Sequence, residues 1–275
     1  MVLFDSHLHS INSHDGQVSC DKIAEEAIKR GLTGICITDH FDSGLYSESD
    51  DYQHIRKSIT DAEKTAEMYK DKLIINHGVE LGDYLFGKKI ADQCLNELNF
   101  DFILCSTHAT MVGRKVFGNF SGFKSLKVLT DEQLNLFVTE YFKHILKTTE
   151  EQDFDSLAHL TYPLRYIVAI NKREFDTTPY LNIIRDIFKV IIQRNKAIEV
   201  NTSCLATEWK YTLPDFNMLK DYYDMGGRLI TLGSDAHFTE RIGIGFNQTL
   251  ENLKSIGFDS YHYYKERKPI AISIK

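Results

Sequence analysis

Four prolines in 275 residues, no repetitive or low-complexity stretch, and no run near the roughly 20 apolar residues needed to cross a bilayer: these scarcities exclude a flexible linker and a membrane helix. Cysteine is also sparse. Cys20, Cys36, Cys94, Cys105 and Cys204 are odd in number, far apart, free of any CxxC pair and mostly set in apolar runs such as GICIT and FILCS. They are expected to be reduced core residues. The opening MVLFDSH has no basic flank or long apolar stretch, because polar residues begin at Asp5; a cytoplasmic, soluble protein with no membrane partner is expected. No basic run interleaved with aromatics is present and the formal charge is −7, which disfavours nucleic acid and favours a small substrate drawn to a local positive site. No feature of the pattern fixes an oligomeric state.

What the chain does contain is an alternation. Short apolar runs, VLFDSHL, TGICITDH, KLIINHGVEL, FDFILCSTH, FDSLAHL, KAIEVNTS and RLITLGSDAH, read as buried strands. Between them lie amphipathic helical patterns: CDKIAEEAIKRG, YQHIRKSITDAEKTAEMYKD, IADQCLNELN, DEQLNLFVTEYFKHILKTTEEQ, YLNIIRDIFKVIIQRN and FNMLKDYYDMGG, with a last one from Thr249 to Ile256. Strand and helix in turn imply an α/β fold with a parallel sheet, over residues 1–275 as a single domain. The length favours a sheet closed into a barrel over an open doubly wound one.

Metal-capable residues sit at the ends of those strands. The first ends in His7 and His9, the second in Asp39 and His40, the third in His77 and Glu80, the fourth in His108, the fifth in His159, the sixth in Glu199 and Asn201, and the seventh in Asp235 and His237. In a parallel barrel these ends share one face, so residues distant in sequence converge. On a strand, positions i and i+2 point the same way, so His7 and His9 can grip one ion together. His54 and His144 fall within helical patterns and His262 in the Tyr-rich SYHYYK stretch, so these are expected to pack or face solvent. His77 should point away from Glu80 and serve a structural role.

The segments DSHLHS, ITDHFD, STH and GSDAH, with the glutamate of GVELG and the histidine of LAHL, resemble the motifs of the polymerase and histidinol phosphatase (PHP) superfamily, in order and in strand placement. The resemblance implies a distorted (β/α)7 barrel with three divalent metal ions at the C-terminal ends of its strands. Carried over residue by residue, it implies that His7, His9, Glu80 and Asp235 hold the first ion. Glu80, His108 and His159 would hold the second, and His14, His40 and His237 the third. The stretch EVNTSCLATEW and the ending YYKERKPIAISIK resemble the histidinol-phosphatase branch, which implies hydrolysis of the phosphate monoester L-histidinol phosphate in histidine biosynthesis.

Imidazole-rich sites suit zinc, iron or manganese over calcium or magnesium. A hydroxide bridging two such ions would be the nucleophile, so no side chain is assigned that role. For the substrate, Arg165 and Arg114 are candidates for phosphate, and Asn201, Glu208 and Asp42 for the leaving group. Asp39 and Asp15 are expected to orient neighbouring histidines. The competing function is a phosphodiesterase, exonuclease or nucleotide phosphatase built on the same three-ion site.

Overall fold

The computed structural model describes residues 2–43, 48–112, 115–117, 126 and 129–274. Its elements run β1 (Phe4–Leu8), α1 (Cys20–Lys29), β2 (Gly34–Ile37), β3 (His40–Asp42), α2 (Glu48–Tyr69), β4 (Ile74–Gly82), α3 (Lys88–Glu97), β5 (Phe102–Ser106), β6 (Thr110–Val112), β7 (Lys115–Phe117), α4 (Asp131–Glu151), β8 (Ser156–Leu157), a helical turn α5 (Tyr162–Leu164) leading into a π-helix (Arg165–Ile170), α6 (Leu181–Gln193), β9 (Ala197–Asn201), α7 (Phe216–Asp224), β10 (Ile230–Gly233), α8 (Phe246–Ile256), β11 (Ser260–Lys265) and β12 (Lys268–Ser273).

Seven strands pair in parallel in the order β1-β2-β4-β5-β8-β9-β10, with β3 alongside the end of β4. The ring is drawn together where the first strand meets the chain after the last. Asp235 N donates to His7 O at 2.9 Å and His9 N to Ala236 O at 3.0 Å. The buried Asp5 carboxylate reinforces this seam, accepting from Ser234 N at 2.9 Å, Ser234 Oγ at 2.5 Å and Gly243 N at 2.9 Å. The α/β barrel expected from the alternation is therefore the fold.

The helices form where the apolar spacing places them. In α1 the buried residues Cys20, Ile23, Ala24 and Ala27 make one face, and Gly31 at φ 77° turns the chain out of the helix. α4 begins with a reciprocal cap in which Gln133 N donates to Thr130 Oγ1 and Thr130 N to the Gln133 side chain. α6 buries Ile184, Ile187, Phe188 and Ile191 against the strands.

One departure from the expected pattern concerns the C-terminal stretch, which is an antiparallel hairpin of β11 and β12. It lies across the amino-terminal ends of the strands. Tyr261 Oη accepts from Phe4 N at 3.0 Å, Asn76 Nδ2 donates to Tyr264 O at 2.6 Å, and Lys265 Nζ meets Asp101 at 2.8 Å. Arg267 Nε reaches Asp155 Oδ2 at 2.7 Å. A charged, aromatic-rich hairpin thus closes the barrel end opposite the histidines.

Candidate metal centre

The first donor set comes from β1, β4 and the turn after β10. His7 Nε2 and His9 Nε2 are 3.0 Å apart, and Glu80 Oε2 lies 3.2 Å from the former and 3.3 Å from the latter. Asp235 Oδ1 stands 3.7 Å and 3.4 Å from the same two nitrogens. Four ligands held at about 2.0–2.1 Å around a tetrahedral zinc ion are themselves about 3.4 Å apart. The five separations above, 3.0–3.7 Å, bracket that value.

The other Glu80 oxygen serves a second set: Oε1 is 3.0 Å from His108 Nε2 and 2.8 Å from His159 Nε2. His40 adds its Nδ1 at 3.0 Å from Glu80 Oε2. Glu80 thus faces both sets at once. A third group gathers at the residues expected for the third ion. His9, His40 and His237 converge with Asp15, whose carboxylate lies 2.9 Å from His237 Nε2 and 3.6 Å from His40 Nε2. His14 stands at the rim, its ring 4.9 Å from that of His40. Asp15 therefore contacts two of these histidines and also offers an oxygen of its own.

Electrostatics split the donors. Burial lowers the imidazoles of His7, His40 and His108, but the neighbouring carboxylates, Glu199 and Glu80 at His7, Glu80 at His40 and Asp42 at His108, raise them further, so without a cation these three favour the protonated form. His9, Glu80 and Asp235 are instead held in forms that bind one. Burial, then the neighbouring His237 and His40, push the His9 imidazole down to about 3, so it is neutral and carries a free lone pair. Burial would raise the Glu80 carboxyl, but His40, His7 and His108 hold it well below the usual range. Burial opposes ionisation of Asp235 as well, yet Arg165 and His7 hold it ionised. Buried carboxylates facing one another across imidazoles are stable opposite a cation, and the donor chemistry fits one.

Around the donors runs a layer of partners to which the strand-end pattern assigned no role. Glu199 Oε1 sits 2.6 Å from His7 Nδ1, and Oε2 accepts from His159 N at 2.7 Å. Asp83 accepts from His108 N and Ala109 N, both at 2.9 Å, and burial, then the charge of Asp42, pushes its carboxyl up to about 7. The available signals were the alternation of Glu199 with Asn201 along β9 and the aspartate directly after LG in GVELGD. Two donors sit in left-handed backbone, His159 at φ 21° and Asp235 at φ 53°. Such sparsely populated conformations cluster at functional sites.

Several expectations are corrected here. Asp42 does not wait for a leaving group: it is buried with Oδ1 3.0 Å from His108 Nδ1, where it fixes that ring. A Cβ on Gly82 would lie 2.0 Å from Asp42 Oδ1, so this glycine makes room for the pair. Asn201 is equally enclosed, donating to Glu199 Oε2 at 3.2 Å and Asp235 Oδ2 at 3.3 Å. Asp39 hydrogen-bonds no histidine; its oxygens accept from Ser10 N, Ser10 Oγ and Ser58 Oγ at 2.5–2.6 Å, fixing the turn after β1 because hydroxyls and an amide surround it. Glu208 lies outside the site, exposed and paired with Lys172 at 2.7 Å. Arg114 falls outside the described residues. His77, by contrast, is placed as expected, turned away from Glu80 toward Asp101, with Nδ1 3.6 Å from its Oδ2.

The donors open into a cavity of ≈ 590 Å³ whose walls include Arg165, Tyr162, Tyr166 and Phe238. Arg165 Nη2 donates to Asp235 Oδ2 at 2.5 Å and to Ser203 Oγ at 2.7 Å, and the guanidinium lies 5.1 Å from the Tyr162 ring centroid. The π-helix that starts at Arg165 widens the backbone turn at this wall. The Tyr162 and Tyr166 hydroxyls are 3.0 Å apart.

Sequence relatives run nearly the full length of the chain. A Thermotoga maritima protein named probable histidinol-phosphatase is 29% identical over 259 residues, covering 94% of each chain. A Lactococcus lactis protein named histidinol-phosphatase is 27% identical over 263 residues, covering 94% of this chain and 93% of its own. The crystal structure of the Lactococcus lactis histidinol phosphate phosphatase, complexed with zinc, L-histidinol and phosphate, superposes with a TM-score of 0.78 at 25% identity and covers 98% of both chains. The PHP domain model matches residues 5–203, from the seam aspartate of β1 to just beyond β9, and on that match the chain belongs to the PHP domain family.

Proposed function

We propose that the protein is a metal-dependent phosphoric monoester hydrolase that converts L-histidinol phosphate to L-histidinol and inorganic phosphate in histidine biosynthesis. The observation that carries this reading is the spacing of His7 and His9 from each other, from Glu80 and from Asp235, near the edge length of a tetrahedral site, with Glu80 shared by a second set. It is supported by full-length relatedness to proteins bearing that name. His7, His9, Glu80 and Asp235 would hold the first ion, Glu80 with His108 and His159 the second, and His40 and His237 with His14 or Asp15 the third, as zinc, iron or manganese.

Divalent ions bound there supply Lewis acidity, which brings the pKa of a water toward neutrality and offsets charge on phosphoryl oxygens. The chain supplies the rest. Arg165 is tied by Nη2 to Asp235 and Ser203, so its guanidinium is pre-oriented in the cavity wall to meet phosphoryl oxygens. Asp42 holds Nδ1 of His108, so that Nε2 faces Glu80. The tyrosine pair offers hydroxyls to the substrate from the same wall. Five buried, unpaired cysteines suit the reducing cytoplasm, and among the described residues no helix is long and apolar enough to cross a membrane.

A phosphate-release assay on the zinc-loaded protein tests the proposal, with L-histidinol phosphate, an aryl phosphate, nucleotides and a short single-stranded oligonucleotide as substrates. Histidinol phosphate is expected to have the highest kcat/KM. Preference for a nucleotide or the oligonucleotide would overturn it in favour of a nucleotide-directed phosphoesterase.

A further inference from the structure

Glu199 belongs to no donor set, yet it touches two of them. We propose that Glu199 is a positioning residue that couples the first and second cation positions, setting the tautomer of His7 with one oxygen and the backbone of His159 with the other. The inference rests on the metal reading of the site given above.

An ionised carboxylate only accepts hydrogen bonds. With Glu199 Oε1 2.6 Å from His7 Nδ1, that contact holds a hydrogen on Nδ1 and turns Nε2 toward His9 and Glu80 as the nitrogen that would meet an ion. Glu199 Oε2 accepts from His159 N at 2.7 Å and pins a residue whose φ of 21° few side chains adopt unaided. From that backbone His159 sends Nε2 to within 2.8 Å of Glu80 Oε1. One buried carboxylate therefore holds a donor of each set, and Asn201 ties it in turn to Asp235. Room for it depends on β10: a Cβ on Gly233 would lie 2.0 Å from Glu199 Oε1.

This geometry makes the isosteric replacement informative. In Glu199→Gln the amide oxygen can still accept from His159 N, but the amide NH2 then faces His7 Nδ1. That contact is favourable only if Nδ1 gives up its hydrogen, which moves it to Nε2 and blocks that nitrogen as a ligand. The variant should damage the first position and spare the second.

Zinc titration of the metal-free protein by calorimetry, with long-range 15N NMR of the His7 ring, provides the test. In Glu199→Gln one zinc site per chain should be lost or weakened by about 10- to 100-fold, with the His7 hydrogen moved from Nδ1 to Nε2. Gly233→Ala, whose Cβ would lie 2.0 Å from Glu199 Oε1 and 2.6 Å from His7 Cβ, presses on both members of the pair and should weaken the same site. Unchanged zinc stoichiometry and affinity in the two variants would overturn the inference, even if their melting temperatures fell. Fewer than two zinc ions bound by the wild-type chain would overturn the metal reading itself, and the inference with it.

Discussion

The histidines differ in what replacing each would cost. His9 and Glu80 face more than one donor set, so His9→Ala or Glu80→Ala should abolish phosphate release while circular dichroism stays close to wild type; retained turnover would remove them from the site. Asp42→Asn keeps the volume but can present an NH2 to His108 Nδ1, and a 10- to 100-fold loss of about that size in metal affinity or kcat is expected. His144 is a case apart, on α4, with its ring 4.9 Å from Phe86. Burial, then Lys147, push its imidazole down to about 4, against about 6.5 when unfolded. The folded state thus prefers the neutral ring, so its contribution is complete above pH 6.5 and is lost as pH falls toward 4. Urea midpoints measured from pH 7 to pH 4.5 should fall less steeply in His144→Gln than in wild type. The donors themselves were legible in the sequence because each closes a strand, where an apolar run stops abruptly at His, Asp or Glu. Their supporting contacts were not: Glu199 was visible as a strand end, but its role, like that of Asp83, lies in contacts to His7, His159 and His108 across the barrel.

Strands and helices were readable wherever their period was clean. The helix read from Asp131 is α4, and the apolar AIEV run is β9. The C-terminal hairpin was not readable, because SYHYYK mixes tyrosine, histidine and lysine and only its packing on the barrel floor decides which side is buried. The π-helix was hidden for a related reason, since LTYPLRYIVAI carries no periodic signature of a widened turn. The hairpin has a separable role. Arg267 is the cation beside Asp155, a carboxylate only 4% exposed that also accepts from Ile103 N. Arg267→Ala should therefore destabilise the fold by about 2 kcal/mol, read as a lower urea midpoint. Turnover per folded molecule should be unchanged, because the hairpin covers the end of the barrel away from the donors. A fall in kcat at full folding would contradict that separation.

For the molecule taken whole, the parallel sheet followed from alternation and its closure from length and resemblance, whereas the contact that makes the closure, Asp5 with Ser234, had no signal in the sequence. Because first and last strands lie side by side, the chain should melt as one unit, with Trp209 fluorescence and far-ultraviolet circular dichroism giving coincident curves; two separated transitions would divide it into domains. Cations that bind the folded chain alone raise that transition by mass action, by about 2.7 kcal/mol per site at a hundredfold excess over Kd. Chelation should lower the melting temperature, and added zinc should restore it. The seam also has a temporal meaning. Asp5 and Ser234 are 229 positions apart, so on a ribosome the first strand must wait, edge unpaired, until nearly the whole barrel has emerged. His7 and His9 are made first and Asp235 late. The donor set they share is thus assembled by the final closure, and a nascent chain that stops before β10 holds half a site and an open sheet edge.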